Sequence, residues 1–290
     1  MKCFARNTRV ERKMSFHIGL LLLALCVFYF PGTRVRAETW CSSSSSTNCA
    51  IGGIVSVNYA VSNAPPQGLT SITFPFTVFS IPAANGYFFA QQFYFINTNN
   101  ESGQGAYIGI QPAGNGTNNA HFSFFGTGSS SVNMANCSTG ADGGNGTTCQ
   151  LTVQFAVGHQ YNLTVYRDAK KTSVWHGEIV DNTACQVTTA RGERDASTVC
   201  TPTEIGAWNI GYTTALASNG VGFVEYFPSS VPTGCSGLPY ADVEFGAPST
   251  PDGLTSTVNG ESSYGGCLGS VNYSGSQSTH NLWVRAETGW

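Results

Sequence analysis

Positive charge is scarce in this sequence. Thirteen lysines and arginines serve 290 residues, and seven of them precede residue 38. Beyond that point Arg167, Lys170, Lys171, Arg191, Arg194 and Arg285 stand against fifteen acidic residues, a net charge of −9. Such a surface repels phosphate backbones, which excludes nucleic acid and disfavours anionic polysaccharides as partners. The repeating Leu, Lys and Glu of helical segments is also lacking, so helical bundles are excluded. There is no Gly-x-Ser-x-Gly elbow, His-Glu-x-x-His helix, phosphate-binding glycine loop or EF-hand loop. The chemistry those motifs serve has no sequence support.

Long apolar runs are equally rare. The one at Ile18–Phe30 follows Lys2, Arg6, Arg9, Arg12 and Lys13. It is shorter than the ~20 residues a membrane helix needs. Val35 and Ala37 occupy the small-residue positions before a cleavage point, so residues 1–37 are read as a signal peptide and 38–290 as the mature protein. The expected location is secreted and extracellular, with no membrane span. Cys3 and Cys26 leave with the leader. Cys41, Cys49, Cys137, Cys149, Cys185, Cys200, Cys235 and Cys267 remain. An even number in an exported chain reads as disulfides, and the spacing favours neighbours: 41–49, 137–149, 185–200 and 235–267. Closing a loop of about 15 residues stabilises by about 3 kcal/mol in the chain-entropy model. No pair has zinc-knuckle spacing. Sequons at Asn100, Asn115, Asn136, Asn145, Asn162 and Asn272 are candidate glycosylation sites.

What the chain does contain is β-forming. Short aromatic and β-branched runs such as "GIVSVNYAV", "GYFFAQQFYFIN", "GAYIGIQPA" and "NAHFSFFG" alternate with Gly-, Ser-, Thr- and Asn-rich turns. Eleven such runs predict an all-β, lectin-like β-sandwich or jelly roll clipped by disulfides, as one domain over 38–290. From about residue 235 that domain becomes loop-rich. "CSTGADGGNGTTC" reads as a glycine-rich loop, and Pro75 predicts an edge or bulged position for its strand. "YNLTVYRDAKKTSVWHGEIVD" reads as a hairpin. Its period of two puts Trp175 and Ile179 on one face and His176 with Glu178 on the other, with Asp181 in the following loop.

Two kinds of site are compatible with these residues. A glycan-binding surface would use exposed aromatics and short polar side chains. Its candidates are Gln91, Gln92, Tyr94, Tyr107, Gln111, Trp175, Trp208 and Glu225. A glycan-cleaving enzyme needs two facing carboxyl groups, for which Glu225 and Glu178 are the choice, with His176 as a further acid–base group. Glu225 stands out because it interrupts the aromatic run "GFVEYF". Cofactors and metals are not called for. Calcium has scattered ligands in Asp142, Asp181 and Asp242, but no spacing that requires it.

The order "GYFFAQQFYF", "GAYIGIQ", "HFSFFG", the Trp-x-Gly hairpin, "IGAWNIG", "GFVEYF" and "CSGLPYADVEFGAP" resembles an uncharacterised family of secreted β-sandwich domains. Its members occur in bacterial and fungal-like extracellular proteins, and the likeness covers roughly residues 80–250. It implies a sandwich fold and a glycan-related role, and brings no catalytic residues with it. Where members carry "SIWD", "HFSFFG" has neither the Trp nor the Asp. The leading expectation is a secreted carbohydrate-binding, lectin-like protein with a glycan or cell-surface glycoconjugate as partner. A glycan-cleaving enzyme is the first alternative, and a structural or protein-interaction sandwich without a small ligand the second.

Overall fold

Alternation becomes strand nearly everywhere it occurs. The computed structural model describes residues 40–41, 46–96, 105–112, 118–132, 135–185, 200–263, 265–274 and 283–289. The leader, Asn100 and Asn115 lie outside the described residues. In chain order the first strands are β1 (Gly52–Val61), β2 (Ser71–Ser80), β3 (Tyr87–Tyr94), β4 (Gly105–Gln111), β5 (Asn118–Phe125), β6 (Ser130–Ser131), β7 (Cys137–Ala141) and β8 (Gly144–Val153). They are followed by β9 (Gln160–Arg167), β10 (Val174–Asp181), β11 (Thr203–Asn209), β12 (Asn219–Tyr226), β13 (Ala241–Gly246), β14 (Ser256–Ser263), β15 (Val271–Ser274) and β16 (Trp283–Thr288). Among the described residues these form two sheets, ordered β14-β1-β12-β3-β4-β5-β8-β7 and β15-β16-β13-β2-β9-β10-β11-β6. The fold is an all-β, disulfide-stabilised, two-sheet sandwich. Among the described residues no helix is long and apolar enough to cross a membrane.

The inner faces meet in an aromatic core. Tyr87, Phe89 and Phe93 of β3 point inward, as do Phe74 and Phe76 of β2. Trp175 and Trp208 are cross-strand partners on β10 and β11. Trp208 stacks on Phe122 at 4.4 Å between ring centroids, and Phe95 meets the edge of Trp175 at 5.1 Å. Between Trp175 and Ile179, Gly177 also points inward. A Cβ at this position would lie 2.5 Å from Phe122 Cγ of the facing sheet. The glycine of the Trp-x-Gly hairpin is therefore required by the opposite sheet. Gly177→Ala is expected to cost roughly 1–3 kcal/mol by overpacking. A urea midpoint equal to wild type would show that the sheets have room there.

Several sequence expectations change in detail. The glycine-rich stretch is a hairpin of β7 and β8 with the Cys137–Cys149 disulfide across it. Its turn residues Asp142 (φ 46°) and Gly143 (φ 75°) both have positive φ, as a two-residue Asp-Gly hairpin turn requires. Pro75 is not at an edge, because β2 lies between β13 and β9. It stands where the ladder to β13 is interrupted, between the Phe76↔Phe245 pair and the Thr73↔Ser249 bridge, so its missing N–H breaks no regular pairing. Asp181 is the last residue of β10, paired with Tyr161, rather than part of the next loop. The C-terminal part contributes to both sheets: β14 pairs with β1, while β13, β15 and β16 extend the second sheet.

Four disulfides join Cys41–Cys49, Cys137–Cys149, Cys185–Cys200 and Cys235–Cys267. The sulfurs of Cys41, Cys235 and Cys267 lie within 4.8 Å of one another, so two of these bridges pack together. As half-cystines they offer no thiolate to a metal.

Candidate functional site

The outer face of the first sheet carries a second, smaller aromatic cluster. On β3 the residues alternating with the core set are Phe88, Ala90, Gln92 and Tyr94, and they point away from the core. Phe88 and Tyr107 are buried here, with Phe125 and Phe223 packed against them. Phe88 meets Tyr107 at 4.9 Å and Phe223 at 5.6 Å, and Tyr107 meets Phe125 at 5.0 Å. The small residues Ala90 and Gly109, which are cross-strand partners, leave room for the rings to converge.

Charged and polar groups are set into this aromatic surface. Glu225 of β12 is the cross-strand partner of Phe88. Its carboxyl is pushed above the ordinary range, first by burial and then by the negative charge of Asp142. Asp142 reaches the face because register shifts at Thr139/Gly140 and Gly140/Ala141 bend the β7–β8 hairpin. There its Oδ1 accepts a hydrogen bond from the Tyr107 hydroxyl at 3.0 Å. Burial, reinforced by the Asp142 charge, pushes the Tyr107 phenol up, so this hydroxyl stays a donor. His121 of β5 meets Phe88 at 5.6 Å. Burial lowers its pKa to about 4, and its Nε2 has no hydrogen-bond partner among the described residues. The result is a glutamate protonated more readily than an ordinary one, partly through the charge of a second carboxylate, beside a neutral imidazole. Asp142→Asn is expected to bring Glu225 part of the way back, because burial remains. A carboxyl carbon titration by NMR checks this, and an unchanged Glu225 would show that the two charges do not couple.

The other sequence-selected residues are distributed differently. Trp175, Trp208 and Gln91 face the core and are fully buried, so they cannot serve as ligand platforms. The period of two explains it: Trp175 shares parity with Ile179, and Gln91 with Phe89 and Phe93. Gln92 and Tyr94 lie on the outer face, and the Gln92 Nε2 donates to the Tyr94 hydroxyl at 2.9 Å. Gln111 ends β4, partly exposed. The choice of Glu178 as partner of Glu225 is corrected. Glu178 is on β10 in the second sheet and Glu225 on β12 in the first, and packed sheets lie ~10 Å apart.

His176 and Glu178 share the outer face of the second sheet, yet they do not form a working pair. His176 Nδ1 is 3.1 Å from Glu204 Oε1, and its Nε2 is 3.5 Å from Asp168 Oδ2. Its ring stacks on Tyr166, whose hydroxyl donates to Glu178 Oε1 at 2.7 Å. Asp181 pairs with His159 at 2.8 Å and Asp242 with Arg285, so the scattered calcium candidates are engaged separately. Asn145 and Asn272 are exposed, while Asn136 and Asn162 are half-buried.

Sequence reading weighs Asp142 only as a scattered calcium ligand and does not single out His121. Asp142 lies in the glycine-rich stretch, where its Asp-Gly dipeptide is the signal for a hairpin turn. His121 shares parity with Ser123 and alternates with Phe122 and Phe124, which marks it as outward-facing.

No protein-family model matches the chain, as fits its resemblance to an uncharacterised family, and no curated protein matches it by sequence. Solved structures do match. One is a Scytalido-glutamic peptidase with a peptide-based transition state analog: 9% identity, 82% of this chain, 99% of that chain, TM-score 0.44. Another is SCP-B, a member of the Eqolisin family of peptidases: 10% identity, 82% and 99%, TM-score 0.40. A third is the marine PL-14 alginate lyase from Aplysia kurodai: 10% identity, 74% and 81%, TM-score 0.40. Each of these three is an enzyme. The expectation of a lectin-like, carbohydrate-binding protein rather than an enzyme is corrected on the chain's own side chains. The tryptophans meant to stack on sugars are spent on the core, and the outward face instead carries a perturbed acid beside a second carboxylate.

Proposed function

We propose that this protein is a glycan-cleaving enzyme whose active site is the outer face of the first sheet. The observation that carries the reading is Glu225: a half-buried carboxyl, raised by burial and by Asp142, set among aromatic rings. A raised carboxyl is suited to general acid catalysis near neutral pH. Glu225 donates its proton to the glycosidic oxygen as the bond to the anomeric carbon breaks. Water supplies the hydroxyl to that carbon on the opposite face, and Asp142, steadied by Tyr107, takes the water's proton as general base. Proton return from Asp142 to Glu225 through solvent closes the cycle. The second sheet's His176 cluster has no part in it.

Two coarser features are read with this. Successive strands pass between the sheets, β1 to β2 to β3 and β11 to β12 to β13, which favours a jelly roll over simpler sandwiches. The basic-apolar leader, the disulfides and the exposed sequons Asn145 and Asn272 favour action outside the cell, where the glycan partner would be met. The test is release of reducing ends from a polysaccharide panel by the mature protein, with a peptide panel alongside. Release from a glycan that Glu225→Gln abolishes is the expected outcome. Cleavage of peptides alone, or of nothing, would sink the reading.

A further inference from the structure

Phe88 and Tyr107 are buried, but Tyr94, farther along the same face of β3, is 36% exposed. Its ring lies against Gly105 of β4, where a Cβ would sit 3.6 Å from Tyr94 Cε1 and 3.7 Å from Cδ1. With no side chain at Gly105, the ring can rest on the strand. Gln92 fixes it there through the 2.9 Å bond to its hydroxyl, and Gln92 is itself the cross-strand partner of Tyr107. Tyr94 is six positions along β3 from Phe88, the partner of Glu225. At ~3.3 Å per residue that is about 20 Å, the reach of several sugar units.

The charge of this face limits what could rest there. None of the eight strands of the first sheet contains a lysine or arginine. His121 is held neutral by burial. Beside Tyr94 stands the amide of Gln92, and farther across the same face lie the outward side chains of Asn58 on β1 and Thr148 on β8. A carboxylate- or sulfate-bearing chain would find no counter-charge and would meet Glu225 and Asp142. Hydroxyls would find amide partners, and the apolar face of a sugar ring would find Tyr94.

We propose that Tyr94, held flat by Gln92, is a remote stacking subsite for an uncharged sugar unit of a polymeric glycan. This rests on the reading of the same face as catalytic, and the experiment separates the two. Titration calorimetry of Glu225→Gln protein should show a long uncharged hexose oligomer binding about tenfold more tightly than the disaccharide. Adding Tyr94→Ala should erase that difference, whereas Tyr94→Phe, which keeps the ring but loses the bond from Gln92, should keep part of it. In the otherwise wild-type enzyme, Tyr94→Ala should raise KM on the long chain by the same factor, leaving kcat and disaccharide turnover unchanged. Circular dichroism confirms that the exposed substitution leaves the fold intact. Long-chain affinity indifferent to Tyr94→Ala, or preference for a polyuronate over the uncharged chain, overturns the subsite even if glycans are cleaved. Tyr94-dependent binding without cleavage by wild type overturns the catalytic reading alone. Neither binding nor cleavage overturns both.

Discussion

Glu225→Gln is expected to lower kcat by roughly 10²–10⁴-fold, the contribution of a positioned general acid, with KM little changed. The amide keeps the size of the side chain and cannot donate the catalytic proton. The wild-type rate should fall as pH rises through the raised pKa of Glu225, since only the protonated form is the acid. Stability should move in a related way. A carboxyl whose folded pKa lies above its ordinary 4.5 penalises the folded state once it ionises. Below that ordinary value wild type and Glu225→Gln should be equally stable. As pH rises through the folded pKa, wild type should lose stability relative to the variant, and the gap should then stay constant. Paired urea titrations across this range, together with pH–rate profiles, check both halves. A variant that loses activity and is also less stable at neutral pH would point to a structural role for Glu225 instead.

Trp208→Ala should have the largest effect on stability, about 3–5 kcal/mol. The indole is fully buried and packs on Phe122 at 4.4 Å, Phe124 at 5.3 Å and Phe95 at 6.0 Å. Truncation opens a cavity at the place where the two sheets meet, and the surrounding rings cannot close it without leaving their rotamers. Chemical denaturation measures the loss. Because the alanine variant risks not folding, Trp208→Phe provides the second arm. It should retain most of the stability and leave KM on any glycan substrate unchanged. A KM that rises in Trp208→Phe while stability holds would return Trp208 to the substrate surface.

The hairpin "YNLTVYRDAKKTSVWHGEIVD" shows how far alternation alone carries. Trp175 and Ile179 face the core, and His176 and Glu178 face outward, as the period of two requires. What alternation could not tell is which neighbours those outward groups would find. His176 turned to Glu204 and Asp168, and Glu178 to Tyr166, because strand order placed β9 and β11 on either side of β10. For Trp208 and Gln91 alternation is the better guide: their chemistry suits a binding surface, but their parity assigns them to the core. At the C-terminal end, spacing favoured the Cys235–Cys267 loop. It could not reveal that this bridge would lie beside Cys41, more than 190 positions earlier in the chain.

The sequence by itself determined the class of fold and the face each strand residue takes. Both are local consequences of β-propensity and of side chains alternating along an extended backbone. It also determined the poverty of positive charge, and with it the partners that are excluded. Only the tertiary structure decided which acid stands beside Glu225. The favoured Glu178 lies on the other sheet, while Asp142, 83 residues before Glu225 in the chain, is carried to Tyr107 and the aromatic face by a bent hairpin. Pairing across such a separation is set by strand order, which is not encoded in the residues immediately around either acid.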